Sequence, residues 1–258
     1  MSFLKNYFYF LFFSIMLWSC AERGGHHSNL DSFNRYLSYN VVETTHFVFI
    51  SKDIDIPTLR QLADVSENIY YSVSYELGNS YSFSKPYKIF VYSQVYEKFS
   101  DIGDEEDAKV IFSTNTPASI SGVIASVMLR DIVGDCLDLY PILHYGYKIY
   151  HERKSSLAIE NYYLSIISDL LKEALNPFYI LDLLNPQDLT PPVLDRYYAL
   201  SSSMIKFLIE RYGQFKFSIF VNELKKCSAF YDTIEKVYLF YPGEFKKDYL
   251  DYIKGYDR

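Results

Sequence analysis

The reading turns on two neighbouring segments, Gly122-Val-Ile-Ala-Ser126-Val-Met-Leu-Arg130-Asp-Ile-Val133 and Pro141-Ile-Leu-His144-Tyr145-Gly-Tyr-Lys-Ile-Tyr150-His151-Glu152, separated by a short acidic loop. The first is apolar on nearly every side, as expected of a helix buried in the middle of a domain. Its one polar line runs through Ser126 and Arg130, four residues apart and so on one helix face. The second opens on Pro141, a favoured first helical residue because proline has no N–H to leave unsatisfied there.

Outward from this pair, the order of elements is that of an α+β protein. Thr44 to Ile50 is β-branched and aromatic with partial alternation and predicts a strand. Ile54 to Leu77 carries Leu59, Leu62, Val65, Ile69, Tyr70 and Val73 at helical spacing, and Gly78 stands where that helix should stop. Pro86 to Tyr92 and Val110 to Thr114 predict two more strands. Beyond Glu152 the pattern is helical: Leu157 to Leu175, a short piece from Pro177 to Leu184, a loop from Asn185 to Pro192, then a long amphipathic helix from Asp195 with a stop at Gly213. Gln214 to Lys225, Ala229 to Phe240 and Pro242 to Lys254 complete the set.

The central layout resembles the core of the gluzincin metallopeptidases, in particular the bacterial peptidase MA-like family. There a buried Leu-x-x-His-Glu-x-x-His helix supplies two zinc-binding histidines and the general base. A following Pro-x-Trp-x-x-Glu-Gly-x-Ala-x-Tyr helix supplies a glutamate ligand. Pro141, Gly146 and Tyr150 keep their places in that pattern. His46 in the opening strand, Glu67-Asn-Ile-Tyr70 in the long helix and the Asp195 to Gly213 helix are similar to further motifs of the family. The likeness runs from about Thr44 to Ile253, and His46 is expected to pack or hydrogen-bond within its strand.

The resemblance implies a zincin-like fold, with a small N-terminal sheet and long helices in an N-lobe of residues 41–135 and a helical C-lobe of residues 136–258. It places the two histidines at Ser126 and Arg130, the base at Val127 and the glutamate at Tyr145. A zinc site of this kind needs two neutral imidazoles, one carboxylate and an open position for water. A serine hydroxyl is a weak neutral ligand, an arginine is a permanent cation that repels metal, and a phenol with a pKa of about 10 is no ready anion. Valine cannot take a proton from water, a step that needs a positioned base. The expectation is therefore an inherited scaffold with no metal, no cofactor and no peptidase activity. Arg130, in so apolar a helix, is expected either to pair in the interior with Asp131, Asp135 or Glu152, or to reach solvent at the floor of the cleft. His144 and His151 are two turns apart, too far for a compact metal pair, and are expected to be ordinary histidines of an amphipathic helix.

Residues 1–19 read as a targeting segment, with Lys5, an apolar run from Tyr7 to Trp18, and an ending Leu17-Trp18-Ser19-Cys20 that resembles a bacterial lipobox. Its apolar run is too short to span a bilayer as a helix. Lipidation of Cys20 is the favoured reading, with an uncleaved anchor or an ordinary secretory signal as the others. Residues 20–40, including His26 and His27, then form a polar tether. Ala21 points to the outer rather than the inner membrane of a two-membrane envelope. Of the three cysteines, Cys136 and Cys227 remain, either as a disulfide or as two separate buried thiols.

Formal charge is −7, with 25 basic and 32 acidic residues, and no clustered basic surface of the kind nucleic acid requires. The 27 tyrosines and 20 phenylalanines supply core and amphipathic contact surface alike. The functional expectation is a non-catalytic envelope lipoprotein, held at the membrane by its lipid, that binds a protein or peptide. A hydrolase with an unrecognised site and an adhesive surface lipoprotein are the alternatives.

Overall fold

Among the described residues, short β-branched and aromatic runs build one mixed sheet of four strands, and the elements that follow the sheet are helical. The computed structural model describes residues 39–78, 85–93, 108–113, 116–173, 176–182, 186–241 and 243–255. Strands β1 (Asn40–Glu43) and β2 (Phe47–Ser51) pair antiparallel, Val42 opposite Phe49. Helix α1 (Ile56–Glu76) then crosses over, and β3 (Tyr87–Tyr92) lies parallel to β2 with Phe49 opposite Ile89. Strand β4 (Ala108–Ile111) adds in parallel on the far side of β3. A parallel neighbour needs such a crossover, which is why the long helix falls between β2 and β3.

The strand expected over Thr44 to Ile50 is in fact the turn and second arm of a hairpin. Thr44 bonds back to Phe47 across the corner, and the first arm, Asn-Val-Val-Glu, is too short to show alternation in the sequence. Helix α1 starts where Asp55 accepts the Thr58 N–H as an N-cap. His46, at the mouth of β2, is fastened to this helix: its backbone N–H and Nδ1 reach the two oxygens of Glu67 at 2.8 and 2.6 Å, and its ring stacks 3.7 Å from Tyr70.

The remaining helices are α2 (Thr116–Val133), α3 (Pro141–Ser155), α4 (Leu157–Lys172), the single turn α5 (Phe178–Leu181), α6 (Pro191–Tyr212), α7 (Gln214–Leu224), α8 (Phe230–Tyr238) and α9 (Glu244–Lys254). A 3-10 turn over Gly134–Leu139 joins α2 to α3. Gly213, with φ +88°, is the corner between α6 and α7, a conformation that side-chain-bearing residues rarely adopt. One hydrophobic core runs from Val42 in the sheet through Met128, Tyr147 and Phe207 to Ile253. The observed class is α+β, mostly helical, with the sheet at the N-terminal side. No helix among the described residues is long and apolar enough to cross a membrane. Residues 1–38, with Cys20 and the expected tether histidines, lie outside the described residues.

Helix α3 is the centre of the packing, lying against α2 on one side and α6 on the other. Gly146 makes the second contact so close that a Cβ there would stand 2.7 Å from the backbone oxygen of Ser201. Cys136 and Cys227 are joined as a disulfide, their Cα atoms 5.2 Å apart across 91 residues of chain. This settles the choice between a bridge and separate thiols, and it fastens the 3-10 turn before α3 to the start of α8.

Two outcomes are expected from urea denaturation. Gly146→Ala should destabilise by about 2 kcal/mol, because the steric cost of separating α3 from α6 exceeds the helix-propensity gain. Replacing both cysteines by serine should cost about 2–5 kcal/mol by freeing a long loop in the unfolded chain. An unchanged or raised midpoint in either variant would contradict the packing described here.

Candidate functional site

Helices α2 and α3 meet along a polar seam in otherwise apolar surroundings. On α2, Gly122, Ser126 and Arg130 follow one another at intervals of four, and on α3 so do His144, Lys148 and Glu152, so each trio lies along one helix face. Ser126 Oγ and His144 Nε2 are 2.8 Å apart. The His144 ring stacks on Tyr145, with centroids 4.9 Å apart, and Tyr145 in turn lies 5.6 Å from the ring of Tyr198 on α6.

Two groups of the seam are pushed toward their neutral forms. Burial, reinforced by the Arg130 and Lys148 cations and only partly opposed by Asp138, lowers the His144 pKa to about 4. The imidazole is therefore neutral at pH 7, and either Ser126 donates to it or it donates to Ser126. Burial also raises the carboxyl of Glu152 above its usual range, with Lys148 acting against the shift. Glu152 lies on Gly122, where a Cβ would meet its Oε1 at 2.5 Å, and no hydrogen bond among the described residues reaches it. Displaced titrations along one helix face are a physical marker of a candidate site.

The four positions aligned with a metal site by resemblance are thus placed as follows. Ser126 is bound to His144, and Tyr145 stacks beside them. Val127 is half-buried. Arg130 points outward: its Nη2 reaches Asp138 Oδ1 at 3.2 Å, with the two side chains 50% and 67% exposed. The expectation of an interior pair with Asp131, Asp135 or Glu152 is corrected. Solvation is cheaper than burying a guanidinium, and Asp138 of the 3-10 turn lies within reach. A hydroxyl engaged with an imidazole, an outward cation and a phenol make a donor set unfit for a divalent zinc ion. Among the described residues no three His, Cys, Asp or Glu side chains gather as a metal-holding group.

His151 does not belong to the seam. It is buried against Glu76 at the end of α1, with Nε2 3.0 Å from Oε2, close enough for an ion pair although the N–H is not aimed along a hydrogen bond. Lys154 Nζ reaches the other Glu76 oxygen at 2.6 Å, and the Tyr147 hydroxyl donates to Oε2 at 3.3 Å. Burial works to raise the Glu76 pKa, but His151 and Lys154 together outweigh it and hold the carboxyl below its ordinary range. Arg153, also buried, bonds Glu160 at 2.6 Å and Ser202 at 2.7 Å. The sequence offered one sign of the Glu76 cluster: Glu76 falls three residues after Val73, on the core face of α1.

No known family model matches the chain, and no curated protein matches it either.

The seam has a pH signature. Because His144 titrates at about 4 in the folded protein and at about 6.5 unfolded, the unfolded chain binds the extra proton first as pH falls. Folding stability should therefore drop by about 2–3 kcal/mol between those values, and near pH 4.5, where Glu76 and Glu160 of the unfolded chain take up protons, the loss from these depressed carboxylates adds to it. Glu152 has the opposite sign, so the measurement is the difference between the wild type and His144→Gln across a urea series from pH 7 to 4. The variant is expected to lack that portion of the slope, and parallel curves would refute the assignment.

Proposed function

We propose that the chain is a non-catalytic, zincin-like relative of the peptidase MA-like gluzincins, carried on a lipid anchor at Cys20 in a bacterial envelope, where it binds a protein or peptide partner. The observation that carries this reading is the α2–α3 seam. The two helices aligned by resemblance with the metal-bearing pair do pack together, and they bring Ser126, Arg130 and Tyr145 to one region. What stands there is hydroxyl, cation and phenol instead of imidazole, imidazole and carboxylate. Binding a partner needs no metal ligand, only a polar and aromatic surface such as His144, Tyr145 and Tyr198 provide along the seam. The Cys136–Cys227 bridge supports a site outside the cytoplasm, since structural disulfides persist in oxidising compartments. The outer membrane is the preferred destination on the strength of Ala21.

The hydrolase reading draws on one contact, Ser126 to His144, which has the spacing of a nucleophile and its base. Against it, an imidazole titrating near 4 is a feeble base at neutral pH. Its other ring nitrogen also receives no carboxylate among the described residues.

The test is native mass spectrometry of the purified protein after incubation with zinc and removal of the excess, with a fluorophosphonate serine probe as the second arm. The expected result is no stoichiometric zinc and no labelling of Ser126. One retained zinc per chain would overturn the non-catalytic reading in favour of a metalloenzyme, and labelling that disappears in Ser126→Ala would overturn it in favour of a serine hydrolase.

A further inference from the structure

At the entry to α3 lies a concavity of about 290 Å³. Its walls include Tyr140, Ile142, Tyr197, Phe230 and Tyr231, and among the described residues Asp182 is the one charged residue that lines it. Three separate parts of the chain meet here: the entry to α3, the end of α5 and the start of α8. The Cys136–Cys227 bridge ties the 3-10 turn that leads into α3 to the link that precedes α8.

Three of its polar groups differ in how they are satisfied. The Tyr140 hydroxyl donates to the Ser228 carbonyl at 2.6 Å, and the Tyr231 hydroxyl donates to Asp182 Oδ1 at 2.9 Å. The Tyr197 hydroxyl, on a residue with no exposed surface, has no hydrogen-bond partner among the described residues. A buried phenol left unpaired costs stability, and a ligand group that meets it recovers that cost. The rim also shows its charge preference. Lys246 Nζ sits 4.8 Å from the centre of the Tyr231 ring, 4.7 Å from that of Phe178, and 3.9 Å from Asp182 Oδ2. A carboxylate beside aromatic faces is a cation-selecting combination, and the chain's own lysine already responds to it.

We propose that this cleft binds an arylalkyl primary amine, with the ring held among the tyrosine and phenylalanine walls and the ammonium directed to Asp182 in place of Lys246. The carboxylate fixes the orientation, and the apolar walls provide most of the affinity. This site is separate from the α2–α3 seam and stands whether or not that seam binds a peptide.

The experiment is a titration of the full chain in detergent micelles, followed by nuclear magnetic resonance, with phenethylammonium, 2-phenylethanol and 3-phenylpropionate as probes of matched shape. Phenethylammonium is expected to bind saturably with a dissociation constant on the order of a millimolar. Asp182 is partly exposed, so the amine should lose about fivefold in Asp182→Asn while the neutral alcohol is unaffected. Ile142→Trp, which fills the cleft, should abolish binding of the amine with the circular dichroism of the fold retained. Equal affinities for amine and carboxylate, binding indifferent to Asp182→Asn, or no saturable binding of the amine would each overturn the proposal.

Discussion

Helix α3 is enclosed by α2 and α6 and yet carries His144, Lys148, His151, Glu152, Arg153 and Lys154 along its length. That conflict between burial and polarity organises much of the molecule. A charge taken out of water and left unpaired costs several kcal/mol, so neighbouring elements have to present complements at fixed places. The last turn of α1 presents Glu76 to His151 and Lys154, α4 presents Glu160 to Arg153, and α6 presents Ser202 to the same guanidinium. Each complement comes from a different helix. The set therefore fixes how α1, α4 and α6 stand around α3, a task that apolar contacts perform with far less directional preference.

The close approach at Gly146 makes this arrangement possible. With α6 backbone within van der Waals reach of α3, Arg153 one turn beyond Tyr150 is brought to Ser202 and to the Ala199 carbonyl. Glu160 then accepts from both Arg153 and Lys206. Burial would raise its pKa, but the two cations hold it down. The buried ion network and the glycine contact are thus two consequences of one helix crossing.

Much of this architecture was legible in the sequence, because it rests on local rules. Periodicity located the long helices, but α2 begins at Thr116, before the expected Gly122, and α6 at Pro191, inside the expected loop; Pro141, Gly78 and Gly213 marked boundaries through backbone chemistry that does not depend on tertiary context. His46, expected to pack or hydrogen-bond within its strand, stands just before β2 and turns instead to Glu67 and Tyr70 of α1. What escaped were properties of pairs distant in sequence. Nothing local says that Cys136 faces Cys227, that Glu76 meets His151, or that Arg130 finds Asp138 in preference to Asp131, Asp135 or Glu152. Strand β1 escaped for a different reason: four residues carry too few alternations to register. Tyr197 read as an ordinary member of an amphipathic helix and Arg153 fell just past the expected end of its segment at Glu152, and only the crossing of α3 with α6 and the convergence near α8 give them their buried positions.

The seam and the aromatic cleft are not independent, because a row of tyrosines lies between them. Tyr145 stacks on His144 at the seam and faces Tyr198, while Tyr197 lines the cleft. Burial raises the pKa of both Tyr197 and Tyr198, and proximity to Tyr145 pushes each further in the same direction. The rings follow one another across the crossing of α3 and α6, Tyr197 6.3 Å from Tyr198, Tyr198 5.6 Å from Tyr145 and Tyr145 4.9 Å from His144 between centres. A ligand that displaced the Tyr197 ring would press on Tyr198 and Tyr145 and so on the ring of His144. The close packing of α3 on α6 at Gly146 leaves those rings little room to yield, so a steric route between the two sides of α3 runs through them.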